Sequence, residues 1–356
     1  MKMKFVNKKI TGILGLLPEQ TFYFDDEVGN YTFPEKQTAR LKKVMGYEKH
    51  RLAKETSTTS DFCVYGLNYL LNRGRIRKED IGAIVVITVS PDYFMLHVSN
   101  IIHGECDLPE DVLCMDIPQG CCGYLIGLMQ SYMLLDQIPQ KKVLLFNADV
   151  LSHKVSKHDR NDFPLTGDAS SISIIENSFQ EEEIIYQLNF DGKQREALII
   201  PAGGFAMPCT EETAVIHTME DGNQRSLNHL RMDGAGVFNF VQANVPRMII
   251  QMLEENGIRQ DDVDYYLFHQ PNKFMLKKLA DKMKVSYDKM FMNIVENFGN
   301  PSGASIPINI AYNMGEKLLN NRYLCCLSAF GSGLAWGAML MQLGDMDFCE
   351  LIDTDL

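Results

Sequence analysis

Residues 76–81 read IRKEDI, and residues 258–263 read IRQDDV. Each copy follows a segment of helical period that ends near a glycine, FCVYGLNYLLNRG in one case and FVQANVPRMIIQMLEENG in the other, and each leads into a short apolar run. Two further pairs keep the same order. CMDI at Cys114 is echoed by FMNI at Phe291, and FNAD at Phe146 by LSAF at Leu327. All three offsets are close to ~180 residues, about half the chain, which predicts two similar halves packed as one pseudo-symmetric body.

The elements around these repeats set the fold class. Apolar runs of strand length (Ala83–Ser90, Val112–Ile117, Val143–Asp149, Asp264–Gln270, Met290–Ile294 and Tyr323–Phe330) alternate with longer helical stretches. Alternation of this kind predicts an α/β layered architecture. The expected organisation is a first half over 1–180, an irregular connection and hairpin region over 181–223, and a second half over 224–356.

Composition narrows the function. With 356 residues, of which 46% are hydrophobic, the chain can bury one large core or two fused ones. A net charge of -12 argues against a nucleic-acid surface. No segment approaches the roughly 18 uninterrupted apolar residues of a membrane span, and GILGLL near the start is too short for a secretory leader. Nine cysteines without the spacing of a disulfide framework fit a reducing compartment, so the expectation is a cytoplasmic protein. The adjacent pairs Cys121–Cys122 and Cys325–Cys326 cannot easily share an ion, and no metal site is expected.

Four segments carry chemistry. In DIPQGCCGYLIGL (116–128) the cysteines lie where a strand turns into a buried helix, a position that aims free N–H groups and the positive end of the helix dipole at sulfur and favours thiolate. FHQPN (268–272) places His269 at the end of an apolar strand. FGNPSGASIP (298–307) places Asn300 in a Gly, Pro and Ser loop before a helix. AFGSGLAWG (329–337) is glycine-rich after a strand, lacks the spacing of a dinucleotide loop, and suits close backbone approach to a reacting carbonyl. Each residue alone has a bland use, as core filler, satisfied histidine or turn former. Equivalence of the two halves would bring the Cys and Asn loops together at the centre, with His269 beside them.

These four motifs, with LLPEQ near the start and TGDASS at 166–171, resemble the β-ketoacyl-acyl carrier protein synthase III family of the thiolase-like superfamily. The resemblance spans nearly the whole chain and implies a thiolase-like fold, two pseudo-symmetric halves in a layered αβαβα arrangement. It implies Cys121 as nucleophile with Cys122 as a packing residue, a Cys121, His269, Asn300 triad, and an oxyanion hole from the backbone N–H groups of Cys121 and Ser332. The activity implied is transfer of an acyl group to cysteine, then decarboxylative Claisen condensation with a malonyl thioester. Phe330 and Gln270 would support the loops. Met95 falls in the region that gates the acyl pocket, often across a dimer interface, with Met232, Phe238 and Leu334 as other wall candidates.

The family's coenzyme A grip, a Trp and two Arg, falls on Arg40, Val44 and His153, with Lys154 and Arg160 near enough to substitute. The primer could instead ride on acyl carrier protein, for which Lys273, Lys277 and Lys278, followed by Lys282 and Lys284, form a local basic face. A homodimer and no cofactor beyond the thioester substrates are implied. Two other readings use the same residues: acyl transfer to an O, N or small-molecule C nucleophile, and a non-catalytic partner subunit. The retained Asn300 favours decarboxylation over the first, and the complete triad disfavours the second.

Overall fold

The computed structural model describes residues 1–356. Eleven strands form two sheets. They are β1 Lys2–Val6, β2 Lys8–Pro18, β3 Ile81–Ile87, β4 Leu113–Ile117, β5 Lys142–Asp149, β6 Ala169–Asn177, β7 Glu183–Phe190, β8 Tyr265–Phe268, β9 Arg322–Gly331, β10 Ala335–Gly344 and β11 Phe348–Thr354. The first sheet runs β11-β2-β6-β5-β3-β4 and the second β1-β7-β10-β9-β8. The repeat is visible in the ladders: β5 pairs parallel with β3 and antiparallel with β6, as β9 does with β8 and β10. IRKEDI enters β3 and IRQDDV enters β8.

Two helices lie between the sheets, α2 (Gly123–Leu135) and α5 (Ser305–Met314). Leu125, Leu128 and Tyr132 of α2 join Ile306, Ile310 and Met314 of α5 and residues of both sheets in one buried cluster. A helix apolar on all sides is stable only when covered on all sides, and GYLIGLMQSYMLL meets that condition. The outer faces are covered by α1 (Thr59–Asn72), on the first sheet, and by α3 (Gly234–Glu255) and α4 (Lys273–Met283), on the second. The layers therefore run αβαβα. At the start of α1 a capping box, in which the Thr58 hydroxyl receives the Asp61 N–H and the Asp61 carboxylate the Thr58 N–H, satisfies two otherwise orphaned donors. No helix is long and apolar enough to cross a membrane.

Three expectations are corrected. Met290–Ile294 is not a strand. It runs beside β8, but the Gln270 side-chain amide donates to the Phe291 carbonyl (2.9 Å), a bond that a ladder would have made, and a helix begins at Ile294. Residues 183–190, assigned to the connection, form β7, which lies inside the second sheet between β1 and β10. The termini also cross over: β1 belongs to the second sheet and β11 to the first, so limits at 180 and 224 do not divide the sheets. Only about 191–232 is irregular, with two-residue ladders at Leu198–Ile199 with Arg231–Met232 and His217–Thr218 with Gln224–Arg225.

Candidate active site

The loops that follow β4, β8 and β9 and the loop that enters α5 converge on one cavity of about 570 Å³. Cys121, His269, Asn300 and Ser332 all line it, as do Met232 and Phe238. Residues far apart in sequence thus share a wall because the two sheets place equivalent strand ends opposite each other.

Each polar side chain is held by bonds that leave a defined group free. Cys121 sits in the turn between β4 and α2, closed by the Gly123 N–H on the Gly120 carbonyl (2.7 Å). Gly331, the last residue of β9, approaches it so closely that a Cβ there would lie 2.6 Å from the Cys121 Cβ and 3.2 Å from its Sγ. Cys122 is fully buried and directs its thiol to the Ala329 carbonyl (3.7 Å) within the core. The two sulfurs therefore face different surroundings, the cavity and the interior.

His269 is 2% exposed, its Nδ1 is 2.6 Å from Ser305 Oγ, and its ring meets Phe330 edge-on at 5.6 Å. The Gln270 N–H points to the same Ser305 oxygen from 3.5 Å; in the tautomer in which that hydroxyl donates to Nδ1, the imidazole hydrogen is on Nε2. Asn300 accepts the Ser302 N–H at Oδ1 (3.0 Å), so its amide NH2 has no partner in the chain. Gln119 Nε2 donates to the Ser332 carbonyl (3.2 Å) and fixes the terminal loop against the Cys121 turn. Gln270 also donates to the Phe268 carbonyl (3.0 Å), so both of its amide hydrogens bind backbone.

Burial dominates the electrostatics. It pushes the Cys121 thiol up to about 12, with the Asp149 carboxylate adding and the Ser302 hydroxyl opposing. Burial of the sulfur thus opposes the preference for thiolate that its place at the helix start provides. Burial also pushes His269 down to about 3, so the ring is neutral. Asp149 lies behind the turn, accepting from the Val89 N–H (2.8 Å) and Thr88 Oγ1 (3.0 Å), and is itself raised to about 6 by burial. A resting thiol has a direct consequence. Alkylation of Cys121 by iodoacetamide is expected to be slow at neutral pH and to keep rising about tenfold per pH unit beyond the ordinary thiol range. A plateau at or below about pH 8 in a pH-rate profile would contradict this.

Other expected positions lie elsewhere. Leu334 is buried in the core beneath α3 and does not reach the cavity. Met95 is 92% exposed, beside Tyr93, Phe94 and Leu96, outside the cavity of the single chain. Arg40 and His153 are exposed and off the wall, although Leu41 and Leu151 line it. The Arg160 guanidinium lies 3.4 Å from the centre of the Phe33 ring. Lys273 is paired with Glu296 (2.8 Å), whereas Lys277 and Lys278 are exposed on α4, whose Phe274 and Met275 line the cavity. Sequence reasoning missed Ser302, Ser305 and Asp149. The two serines stand inside FGNPSGASIP, where a hydroxyl run before a helix was the available signal; Asp149 closes an apolar strand and gave none beyond being a charge in that position.

Similarity to known proteins agrees with this architecture. Residues 115–193 match the family described as 3-oxoacyl-(acyl-carrier-protein (ACP)) synthase III, and residues 253–343 match its C-terminal counterpart. A Campylobacter jejuni protein provisionally named 3-oxoacyl-(acyl-carrier-protein) synthase 3 is 31% identical over 347 residues, 97% of each chain. The chain belongs to the 3-oxoacyl-(acyl-carrier-protein) synthase III family. The β-ketoacyl-(acyl-carrier-protein) synthase III of Clostridium beijerinckii is 29% identical, covering 94% of this chain and 99% of that one. A crystal structure of a 3-oxoacyl-(acyl-carrier protein) synthase from Burkholderia xenovorans superimposes with a TM-score of 0.91 at 28% identity over 99% of both chains. The synthase III motifs, from the Cys121 turn to the Gly331 loop, each contribute residues to the cavity wall, alongside Leu198–Ile200 and the start of α3.

Proposed function

We propose that this condensing enzyme joins an acyl thioester to a malonyl thioester through an acyl-Cys121 intermediate. The Cys121 sulfur attacks the thioester carbonyl, and backbone N–H groups of Cys121 and Ser332 receive the negative oxygen. The carrier thiol departs with the proton that the cysteine gave up. The malonyl thioester then enters, with its thioester oxygen between the Nε2–H of His269 and the amide of Asn300. Carbon dioxide leaves, the electron pair of the broken C–C bond moves into the enolate, and those two donors hold the charge on oxygen. The enolate carbon attacks the acyl carbonyl, the C–S bond breaks, and Cys121 regains a proton.

One observation carries this reading. His269 and Asn300 each have their acceptor atom occupied by a serine, Ser305 Oγ and the Ser302 N–H, so both offer N–H groups on the wall that holds the thiol. Simple acyl transfer does not need two donors there. Supplying an acyl thioester and carboxyl-labelled malonyl-carrier protein tests it: carbon dioxide and β-ketoacyl product are expected in equal amounts. Acyl transfer with no release of label would contradict it.

The substrates arrive as thioesters on acyl carrier protein, with coenzyme A as the other primer carrier. The carrier is proposed to dock on α4 at Lys277 and Lys278, which are exposed and make no ion pair, with Lys273 held by Glu296 and Lys282 donating to the Gln242 carbonyl (2.7 Å). Reversing both charges, Lys277→Glu with Lys278→Glu, is expected to raise KM for carrier-bound substrate several-fold while leaving pantetheine thioesters unchanged. An equal change for both would exclude this face. A homodimer is proposed through the Tyr93–Leu96 segment, where four consecutive apolar side chains are 49–92% exposed. Sedimentation should give a two-chain mass, reduced to one chain by Phe94→Glu; an unaltered mass would refute this interface. The reducing, cytoplasmic setting rests on nine free cysteines.

A further inference from the structure

Asp162 is the only carboxyl on the cavity wall, which carries no lysine or arginine. It is 5% exposed. Its backbone is well fixed, with the N–H on Asp159 Oδ1 (3.2 Å) and the carbonyl receiving Thr166 Oγ1 (2.9 Å). Its carboxyl, in contrast, has no hydrogen-bond or ion-pair partner in the chain. The nearby cation makes its two ion pairs elsewhere, Arg225 Nη1 with Asp159 (2.5 Å) and Nη2 with Asp221 (2.9 Å), while its Nε has no partner in the chain. Burial and the Asp159 charge push Asp162 well above the usual carboxylate range, against the opposing pull of Arg225. What the geometry leaves is a buried carboxyl on the cavity wall with no partner in the chain.

Such a group does not suit a purely hydrocarbon occupant. Of the 30 residues around the cavity 17 are hydrophobic, so an alkyl chain packed over Asp162 would leave its carboxyl oxygens unmatched. Water can satisfy them when no substrate is bound, but an occupant that displaces the water must replace those bonds. Asn161, next in the chain and also on the wall, extends the polar strip. We propose that Asp162 determines specificity by hydrogen-bonding an amide or hydroxyl of the bound thioester. The N–H of an amide or the O–H of a hydroxyl would donate to the Asp162 carboxyl. Two sources offer this chemistry: the amides of the pantetheine arm, and a polar group on the acyl chain. The inference rests on the cavity being the thioester site, as proposed above.

The test compares wild type, Asp162→Asn and Asp162→Leu in the rate of Cys121 acylation, followed by mass. The substrates are plain and 3-hydroxy acyl chains, each as the pantetheine and the ethanethiol thioester. Asp162→Leu is expected to lower the rate about 3- to 10-fold for substrates that carry the recognised group, with Asp162→Asn retaining most of it. Loss confined to pantetheine thioesters assigns the arm; loss confined to hydroxyacyl chains assigns the acyl group. An unchanged rate with every substrate, or a uniform loss with all of them, overturns the inference. Iodoacetamide alkylation of Cys121 at equal rates in all three proteins checks that the turn is intact. If wild type forms no acyl adduct with any thioester, the function proposed for the site fails first, and this inference with it.

Discussion

Cys121→Ala is expected to lower turnover of acyl and malonyl thioesters by at least about 10⁴-fold, whereas Cys122→Ala should keep most of it. The two cysteines are adjacent, so the contrast separates position from chemistry. At 121 an alanine retains the Cβ against which Gly331 packs, and the turn has no reason to move. Only the sulfur is lost. At 122 the thiol touches the Ala329 carbonyl and core residues of both sheets, so its removal leaves a small void with a cost on the order of 1 kcal/mol in stability. Steady-state assays of both variants, with melting curves as controls, check the prediction. Comparable losses at both positions would mean that the turn, not the Cys121 sulfur, is what activity requires.

Removing either donor should separate the two half-reactions. Asn300→Ala takes away an amide NH2 that has no other partner, and His269→Ala takes away the Nε2–H. Each is expected to reduce condensation by about 10²–10³-fold, the effect of deleting one preorganised donor to a developing oxyanion. Acylation of Cys121 should survive in Asn300→Ala, because the oxyanion of that step is held by backbone N–H groups. His269→Ala also strips the Ser305 hydroxyl of its buried partner and opens space beside Phe330, so a loss of stability will accompany it. Since both donors are proposed to serve one oxygen, the double variant should fall well short of the product of the single losses. Rapid-quench measurement of acyl-enzyme and of carbon dioxide resolves the steps. Loss of acylation in Asn300→Ala equal to its loss of condensation would remove Asn300 from the second step.

Much of this was legible in the sequence because the duplication is written in the strands. The apolar runs that enter β3, β5, β8 and β9 repeat with their flanking charges, and those strands set the topology. The positions of Cys121, His269 and Asn300 at strand and helix ends were equally plain. What escaped was tertiary. β7 begins at the last of three glutamates (181–183) that follow the turn at 178–180, so its alternation read as connection, although pairing with β1 and β10 makes it internal to a sheet. FMNI echoes CMDI in letters, yet a single side chain, Gln270, takes the Phe291 carbonyl that a ladder would need. Helix position, which favours thiolate at Cys121, is readable from sequence, while the burial that opposes it is not. Asp162 offers the clearest lesson: a charged letter among HDRND reads as surface, and only the fold turns it to face the cavity.

The central claim is that one sulfur carries the acyl group between two reactions. Incubation with an acyl thioester in the absence of malonyl substrate, followed by peptide mapping of the mass increase, tests it most directly. The predicted result is a single acyl adduct on Cys121 that disappears, with formation of β-ketoacyl product, when malonyl-carrier protein is added. An adduct on Cys122 or another cysteine, or product formed with no adduct at all, would contradict it.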